Sequence, residues 1–180
     1  MRIILLFLIS SCLALAGPTP TWEKLENCQF IPHEWNDGDS FHARVGDKEF
    51  IFRLYFVDTP ETDLRFPDRV AEQAAALGIT SEQALALGGK AKQFTATTLG
   101  EAPFTAWTCW QNALGSSHLP RWYAFIETKH GWLDRLLVKN GLARVYGKRI
   151  TTPEGMDSRE YIALLNALAP KDDNRRKSGK

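Results

Sequence analysis

The chain has 180 residues, an apolar share of 44% and a formal net charge of +1. That length suits one domain, and that apolar share supports a packed core. The near balance of charge excludes a broadly basic chain that coats nucleic acid, so any contact with a polyanion must come from a local site. At the N-terminus, Arg2 precedes the apolar run 3–10, and Ala14-Leu15-Ala16 offers a small-x-small cleavage point before Gly17. Residues 1–16 therefore read as an export signal, too short in its apolar part to span a bilayer. The mature protein is expected in the periplasm or outside the cell. Lipid attachment at Cys12 is the weaker alternative, because it leaves a very short apolar run. Residues 17–27 read as a leader with Pro18, Pro20 and a few charges.

The spacing from Cys28 to Val57 is that of β structure. Strands are expected over 28–31, 40–45 and 49–57, with a turn at 36–39 and a hairpin at 45–48. In the third strand apolar residues occupy both parities, as in a strand covered on both faces. Residues 68–89 read as a helical hairpin in two similar pieces, AEQAAALG and SEQALALG, with Thr80 and Gln83 as a capping box and Gly88-Gly89 as the stop. Alanine-rich amphipathic turns of this kind are mainly packing surfaces. A further helix is expected over 90–99, then strands over 103–108 and 121–127. A helix over 132–139 ends at Asn140-Gly141. A last helix starts near Thr152-Pro153-Glu154, with Tyr161, Leu164, Leu165 and Leu168 forming its core stripe.

The order is three strands, helices, two strands, helices. It predicts an α+β chain of the OB-fold arrangement: a five-stranded barrel with three or more helices and a helical hairpin inserted after the third strand. The domain covers 28–170, and residues 171–180 form a basic, disordered tail. Cys28 and Cys109 are an even pair in an oxidising compartment, and they fall on strands that neighbour each other in such a barrel. A disulfide between them is expected. No C-x-x-C spacing exists and the four histidines are scattered, so a zinc site is not indicated.

The chemistry concentrates in two stretches, DGDS (Asp37 to Ser40) and RLYFVDTPE (Arg53 to Glu61). Arginine is seldom covered without an anionic partner, and Arg53 lies among Phe52, Leu54 and Phe56. Asp39, Asp58 and Glu61 stand nearby at strand ends, where carboxylates converge on a hard cation. Such a cation beside an arginine is equipment for phosphoryl transfer. A purely structural ion pair of Arg53 with Asp58 or Glu61 fits the spacing equally well.

The two stretches closely resemble the signature of the staphylococcal nuclease family, an aspartate-glycine-aspartate-threonine turn followed by an F-R-L-x-x-V-D-T-P-E strand. Arg121 precedes the strand RWYAFIE as that family's second catalytic arginine does, and LVKNGLARV resembles its helix-to-glycine segment. The similarity runs from about Trp35 to Leu168. It implies an OB-type barrel and calcium held by Asp39, Asp58 and the Thr59 carbonyl, with Asp37 and Ser40 supporting that turn. Arg53 and Arg121 would bind the scissile phosphate, and Glu61 would orient or deprotonate water. DNA and RNA would be cut to leave 3′-phosphate ends by a monomer without a stable membrane span. Three features depart from the family. Ser40 replaces threonine. His118-Leu119-Pro120-Arg121 keeps the arginine and loses a tyrosine, leaving His118 and Tyr146 as the nucleotide contacts. The hairpin 68–89 is longer than the family's usual connection. A non-catalytic binding module and a calcium-stabilised structural domain are the rivals. Neither needs Arg53, Glu61 and Arg121 together.

Overall fold

The computed structural model describes residues 20–114 and 119–171. The expected export signal, Cys12, His118 and the tail beyond Lys171 lie outside the described residues. Strands β1 (Glu23–Ile31), β2 (Ser40–Val45), β3 (Lys48–Leu54) and β4 (Val57–Asp58) lead into helices α1 (Pro67–Leu77) and α2 (Ser81–Gly100). Then follow β5 (Phe104–Asn112), β6 (Arg121–Thr128), β7 (Gly131–Trp132), α3 (Leu133–Lys139), β8 (Arg144–Val145) and α4 (Ser158–Leu168). The described residues are thus mixed α+β. A mostly antiparallel six-stranded sheet is ordered β3-β2-β1-β5-β6-β7, and β3 pairs additionally with β6. That pairing is parallel and aligns Ile51 with Arg121 and Arg53 with Tyr123. A separate small pairing joins β4 to β8, with Asp58 opposite Arg144.

The core is aromatic. Phe41, Phe52, Tyr55, Phe56, Phe125 and Tyr161 are all fully buried, with Leu133, Leu137 and Leu165 closing it from α3 and α4. Tyr55 stacks on Phe125 at 5.3 Å between ring centres, and Phe56 meets Tyr161 edge-on at 4.9 Å. Offset and edge geometries of this kind add to plain apolar burial. Trp107, Trp122 and Trp132 pack partly buried against this core.

Several boundaries differ from the sequence expectation. β1 starts inside the expected leader, at Glu23, because Glu23, Lys24 and Leu25 pair with Thr108, Trp107 and Ala106 of β5. The third strand stops at Leu54. Phe56 takes φ 64°, a left-handed value uncommon for a bulky side chain. Tyr146 N–H donates to its carbonyl at 2.8 Å, and its own N–H donates to the Lys148 carbonyl at 3.1 Å. This bend redirects Val57-Asp58 away from β3 and onto β8. The capping box at Thr80 and Gln83 forms as expected, but Gly88-Gly89 does not end the helix. α2 runs through both glycines because Gly88 faces the loop after β4. A Cβ there would meet the Pro60 carbonyl oxygen at 2.6 Å. Glycine here serves close approach and not a helix stop. The last helix begins at Ser158, not near Pro153. Gly155 takes φ 85° in a turn, and the Asp157 carboxylate caps the helix by accepting from Arg159 N–H and Glu160 N–H.

The expected Cys28–Cys109 disulfide is absent; both cysteines are free thiols. Their strands are neighbours as anticipated, but the register sets Cys28 opposite Phe104 and Thr108 opposite Glu23. The two thiols thus sit at different levels of the β1–β5 ladder. Cys28 Sγ contacts the Leu25 carbonyl at 3.2 Å, while Cys109 Sγ lies 3.3 Å from the Tyr55 hydroxyl. Burial pushes the Cys28 thiol up to about 11, which keeps it unreactive.

Candidate active site

The turn before β2 is built by its own first aspartate. Asp37 accepts from Asp39 N–H at 3.1 Å and Ser40 N–H at 2.7 Å, folding the DGD segment into an Asx-type turn. Gly38 is required at its tip, since a Cβ there would lie 2.7 Å from both the Ala91 Cβ and the Thr59 methyl. The turn therefore packs directly on the VDTPE segment. Ser40 is buried opposite Arg53 in the β2–β3 ladder, and Leu54 N–H donates to the Asp39 carbonyl at 2.8 Å. These backbone contacts fix Asp39 beside Arg53.

Arg53 is the link between the two stretches. Its Nη2 lies 3.1 Å from Asp39 Oδ2 and 3.1 Å from Asp58 Oδ1. Asp39, first, then Asp37 and Asp58 raise its pKa against the burial that lowers it, so the guanidinium stays charged. Asp39 Oδ2 also accepts from Thr59 N–H at 3.2 Å. Asp37 is pushed well above the usual carboxylate range, by burial first and by the Asp39 charge second. It is the acid that shapes the turn, whereas Asp39 is the one that faces Arg53.

Asp58 is the hub. Its Oδ1 takes Arg53 and, at 2.7 Å, Arg69 Nη2; its Oδ2 takes Gln73 Nε2 at 2.9 Å and Arg144 Nε at 3.0 Å. Gln73 is buried and makes three bonds: to Asp58, to the Thr59 carbonyl at 3.0 Å, and from Glu61 N–H at 2.9 Å. It thereby fixes the Thr59-Pro60 turn from both sides. Glu61 pairs with Arg69 Nε. Burial raises the Glu61 pKa above its ordinary value, and Arg69 opposes that shift. Arg144 is held in turn by Glu72, at 2.8 Å, and lies over the exposed Tyr146 ring at 4.3 Å.

Sequence reading missed Arg69, Glu72, Gln73 and Arg144. The first three come from the hairpin expected only to fill space. They sit at i, i+3 and i+4 on one face of α1, so their polar stripe was the available signal, beside the alanine face that was read. Arg144 had only an isolated charge in an apolar run to announce it.

Arg121 stands at the start of β6, aligned with Ile51, two residues along β3 from Arg53 on the same face. Its Nε donates to the Leu114 carbonyl at 2.8 Å, and no hydrogen bond or ion pair joins its guanidinium to Asp39 or Asp58. Burial first and the nearby Arg53 charge second lower its pKa. The fold therefore gathers Arg53, Asp39, Asp58, Thr59 and Glu61 directly, and brings Arg121 into electrostatic range of them. Tyr146 reaches the cluster only through Arg144, and His118 lies outside the described residues.

Among the described residues, no three His, Cys, Asp or Glu side chains gather as a metal-holding group. The oxygens that do converge are two carboxylates sharing Arg53 and the Thr59 carbonyl sharing Gln73 with Asp58. The Thr59 hydroxyl is buried beside them without a hydrogen-bond partner. An all-oxygen set of this type suits a hard cation. Compared with known proteins, the chain matches no family model and no curated protein. No helix of the described residues is long and apolar enough to cross a membrane.

Proposed function

We propose that the chain is an exported, calcium-dependent nuclease that hydrolyses phosphodiester bonds of DNA and RNA and leaves 3′-phosphate ends. The observation that carries this reading is the meeting of the DGD turn and the VDTPE turn on one arginine, Arg53, with Glu61 alongside. An OB-type barrel belongs to the same proposal. It is supported by β3 pairing with β2 on one side and β6 on the other, which links the two ends of the order β3-β2-β1-β5-β6.

In this reading Asp39, Asp58 and the Thr59 carbonyl would hold calcium, which when bound would neutralise charge on the phosphate. Arg53 and Arg121 bind the non-bridging phosphate oxygens. Their charges are preset by the fold, so little reorganisation is needed as negative charge grows in the transition state. Glu61 accepts a proton from a water attacking phosphorus. The bond to the 5′ oxygen breaks, that oxygen keeps the bonding pair and takes a proton from solvent to leave as a 5′ hydroxyl, and the phosphate stays on the 3′ side. Gln73 keeps Glu61 in place through its backbone N–H. The protein acts as a monomer.

The test is incubation of the mature protein with plasmid DNA and with RNA, in calcium and in excess chelator. Calcium-dependent cleavage to 3′-phosphate ends is expected, with magnesium a poor substitute because it demands tighter octahedral geometry. Undiminished cleavage in chelator overturns the metal assignment. Binding of nucleic acid without cleavage overturns the enzyme reading in favour of a binding module.

A further inference from the structure

Arg69 occupies a position that neither signature stretch supplies. It projects from α1, is 41% exposed, and bridges Asp58 Oδ1 to Glu61 Oε1 through Nη2 and Nε. It thus ties the acid proposed as a metal ligand to the acid proposed to take the proton. Asp58 Oδ1 already accepts from Arg53, so with Arg69 both of its lone-pair directions are used. The other oxygen is filled by Gln73 and Arg144, the latter anchored by Glu72. Of these four donors, Gln73 is fully buried, Arg53 and Arg144 are mostly covered, and Arg69 alone is substantially exposed. A cation approaching Asp58 from solvent therefore meets Arg69 first.

We propose that Arg69 is an internal counter-cation that competes with the divalent cation for Asp58 and Glu61 and is released from them by the phosphate of the substrate. The inference rests on the nuclease reading of the site. The chemistry is direct. In the substrate-free protein the guanidinium is, among the described residues, the one group that pairs with both carboxylates at once, adding to the Arg53 and Arg144 contacts of Asp58 and supplying the ion pair of Glu61. A metal ion cannot take Asp58 Oδ1 until Arg69 leaves, and leaving without a new partner exposes both acids to each other. A phosphate offers that partner, since the planar guanidinium fork matches phosphate as well as carboxylate. Metal and phosphate then favour one another's binding, and by linkage the coupling is reciprocal. Gln73 and Glu72 hold α1 to the site while Arg69 moves, so the exchange needs only a side-chain rotation. The added helix of this chain thereby gives the site a residue that discourages cation loading in the absence of substrate.

The experiment is calorimetric titration of calcium into the wild type, Arg69→Gln and Arg69→Lys, each with and without a mononucleotide 3′,5′-bisphosphate. Without nucleotide, Arg69→Gln binds calcium about tenfold more tightly than the wild type, the size of a typical coupling between sites. Adding bisphosphate tightens calcium binding in the wild type and changes it little in Arg69→Gln. Arg69→Lys falls between, because an ammonium is a point charge and does not bridge two carboxylates with a fixed fork. Thermal melts of all three proteins check that α1 stays folded. Equal or weaker calcium binding by Arg69→Gln without nucleotide overturns the proposal. If the wild type still cleaves DNA in a calcium-dependent way, only this inference fails. If neither protein binds calcium and neither cleaves, the nuclease reading fails with it.

Discussion

Two buried aspartates define two regions with opposite solutions to one problem. Asp58 accepts from three arginines and a glutamine contributed by β3, α1 and β8. Asp134, at the start of α3, accepts from Tyr161 of α4 at 2.5 Å, and its other oxygen has no hydrogen-bond partner among the described residues. Burial disfavours the charged form of a carboxylate, and it pushes Asp134 up to about 6 against the opposing effects of the Tyr161 bond and the Arg135 charge. Asp58 is surrounded by the guanidinium groups of Arg53, Arg69 and Arg144, which offset its charge inside the protein. Asp134 joins two helices and serves packing.

The sharpest break of this comparison lies at the first region. Glu61→Gln and Arg53→Ala are each expected to lower turnover by about two to four orders of magnitude, the range for losing a proton acceptor or a transition-state charge contact. Arg121→Ala is expected in the same range, with folding intact, since among the described residues its side chain bonds a loop carbonyl, that of Leu114. Rates of plasmid nicking beside thermal melts check this; near-normal rates in all three variants would show that the acids and arginines form a structural network only.

Next comes stability at the hub itself. Asp58→Asn leaves Arg53, Arg69 and Arg144 facing a neutral amide, and removing one partner of a buried ion pair costs about 3 to 5 kcal/mol. Urea unfolding measures it, and a loss below that of an ordinary surface substitution would contradict the hub.

At the second region the prediction concerns pH. An unfolded aspartate ionises near 3.9, so between roughly pH 4 and pH 6 the unfolded chain sheds a proton that folded Asp134 retains. Its contribution is fully present below about pH 4, falls as pH rises to about 6, and is constant above. The fall amounts to about 3 kcal/mol. Tyr161 and Arg135 are the titratable and charged groups facing it. Asp134→Asn is expected to lack this fall, and identical pH profiles of unfolding in the two proteins would refute it.

The smallest effect tests how α2 supports the first region. Gly88→Ala forces a methyl against the Pro60 and Glu61 carbonyls. Overpacking of this kind costs about 1 to 3 kcal/mol, and here it also displaces Glu61. Gly89→Ala, whose Cβ meets nothing, is the matched control. Equal stability and activity of the two variants would remove the assigned role of Gly88.

Much of the first region was legible in the sequence because its main parts are local. DGDS is a self-contained turn closed by Asp37, and RLYFVDTPE carries arginine and acids within nine residues. The capping box at Thr80 and the stripe Tyr161, Leu164, Leu165, Leu168 depend on helical spacing alone. The misread stop at Gly88-Gly89 shows the opposite case, since glycine in a chain signals either a break or a close approach, and only the neighbour distinguishes them.

The α+β order, the aromatic strands, and Arg53, Asp39, Asp58 and Glu61 as a candidate site follow from local pattern in the chain. Tertiary structure alone decided that α1 turns Arg69, Glu72 and Gln73 into that site, and that β8 sets Arg144 opposite Asp58. It also decided that the β1–β5 register keeps Cys28 and Cys109 apart. The physical reason is the same for all three. Local pattern fixes which face of an element is polar or apolar, but a contact between distant segments depends on the register and bends that place one element against another.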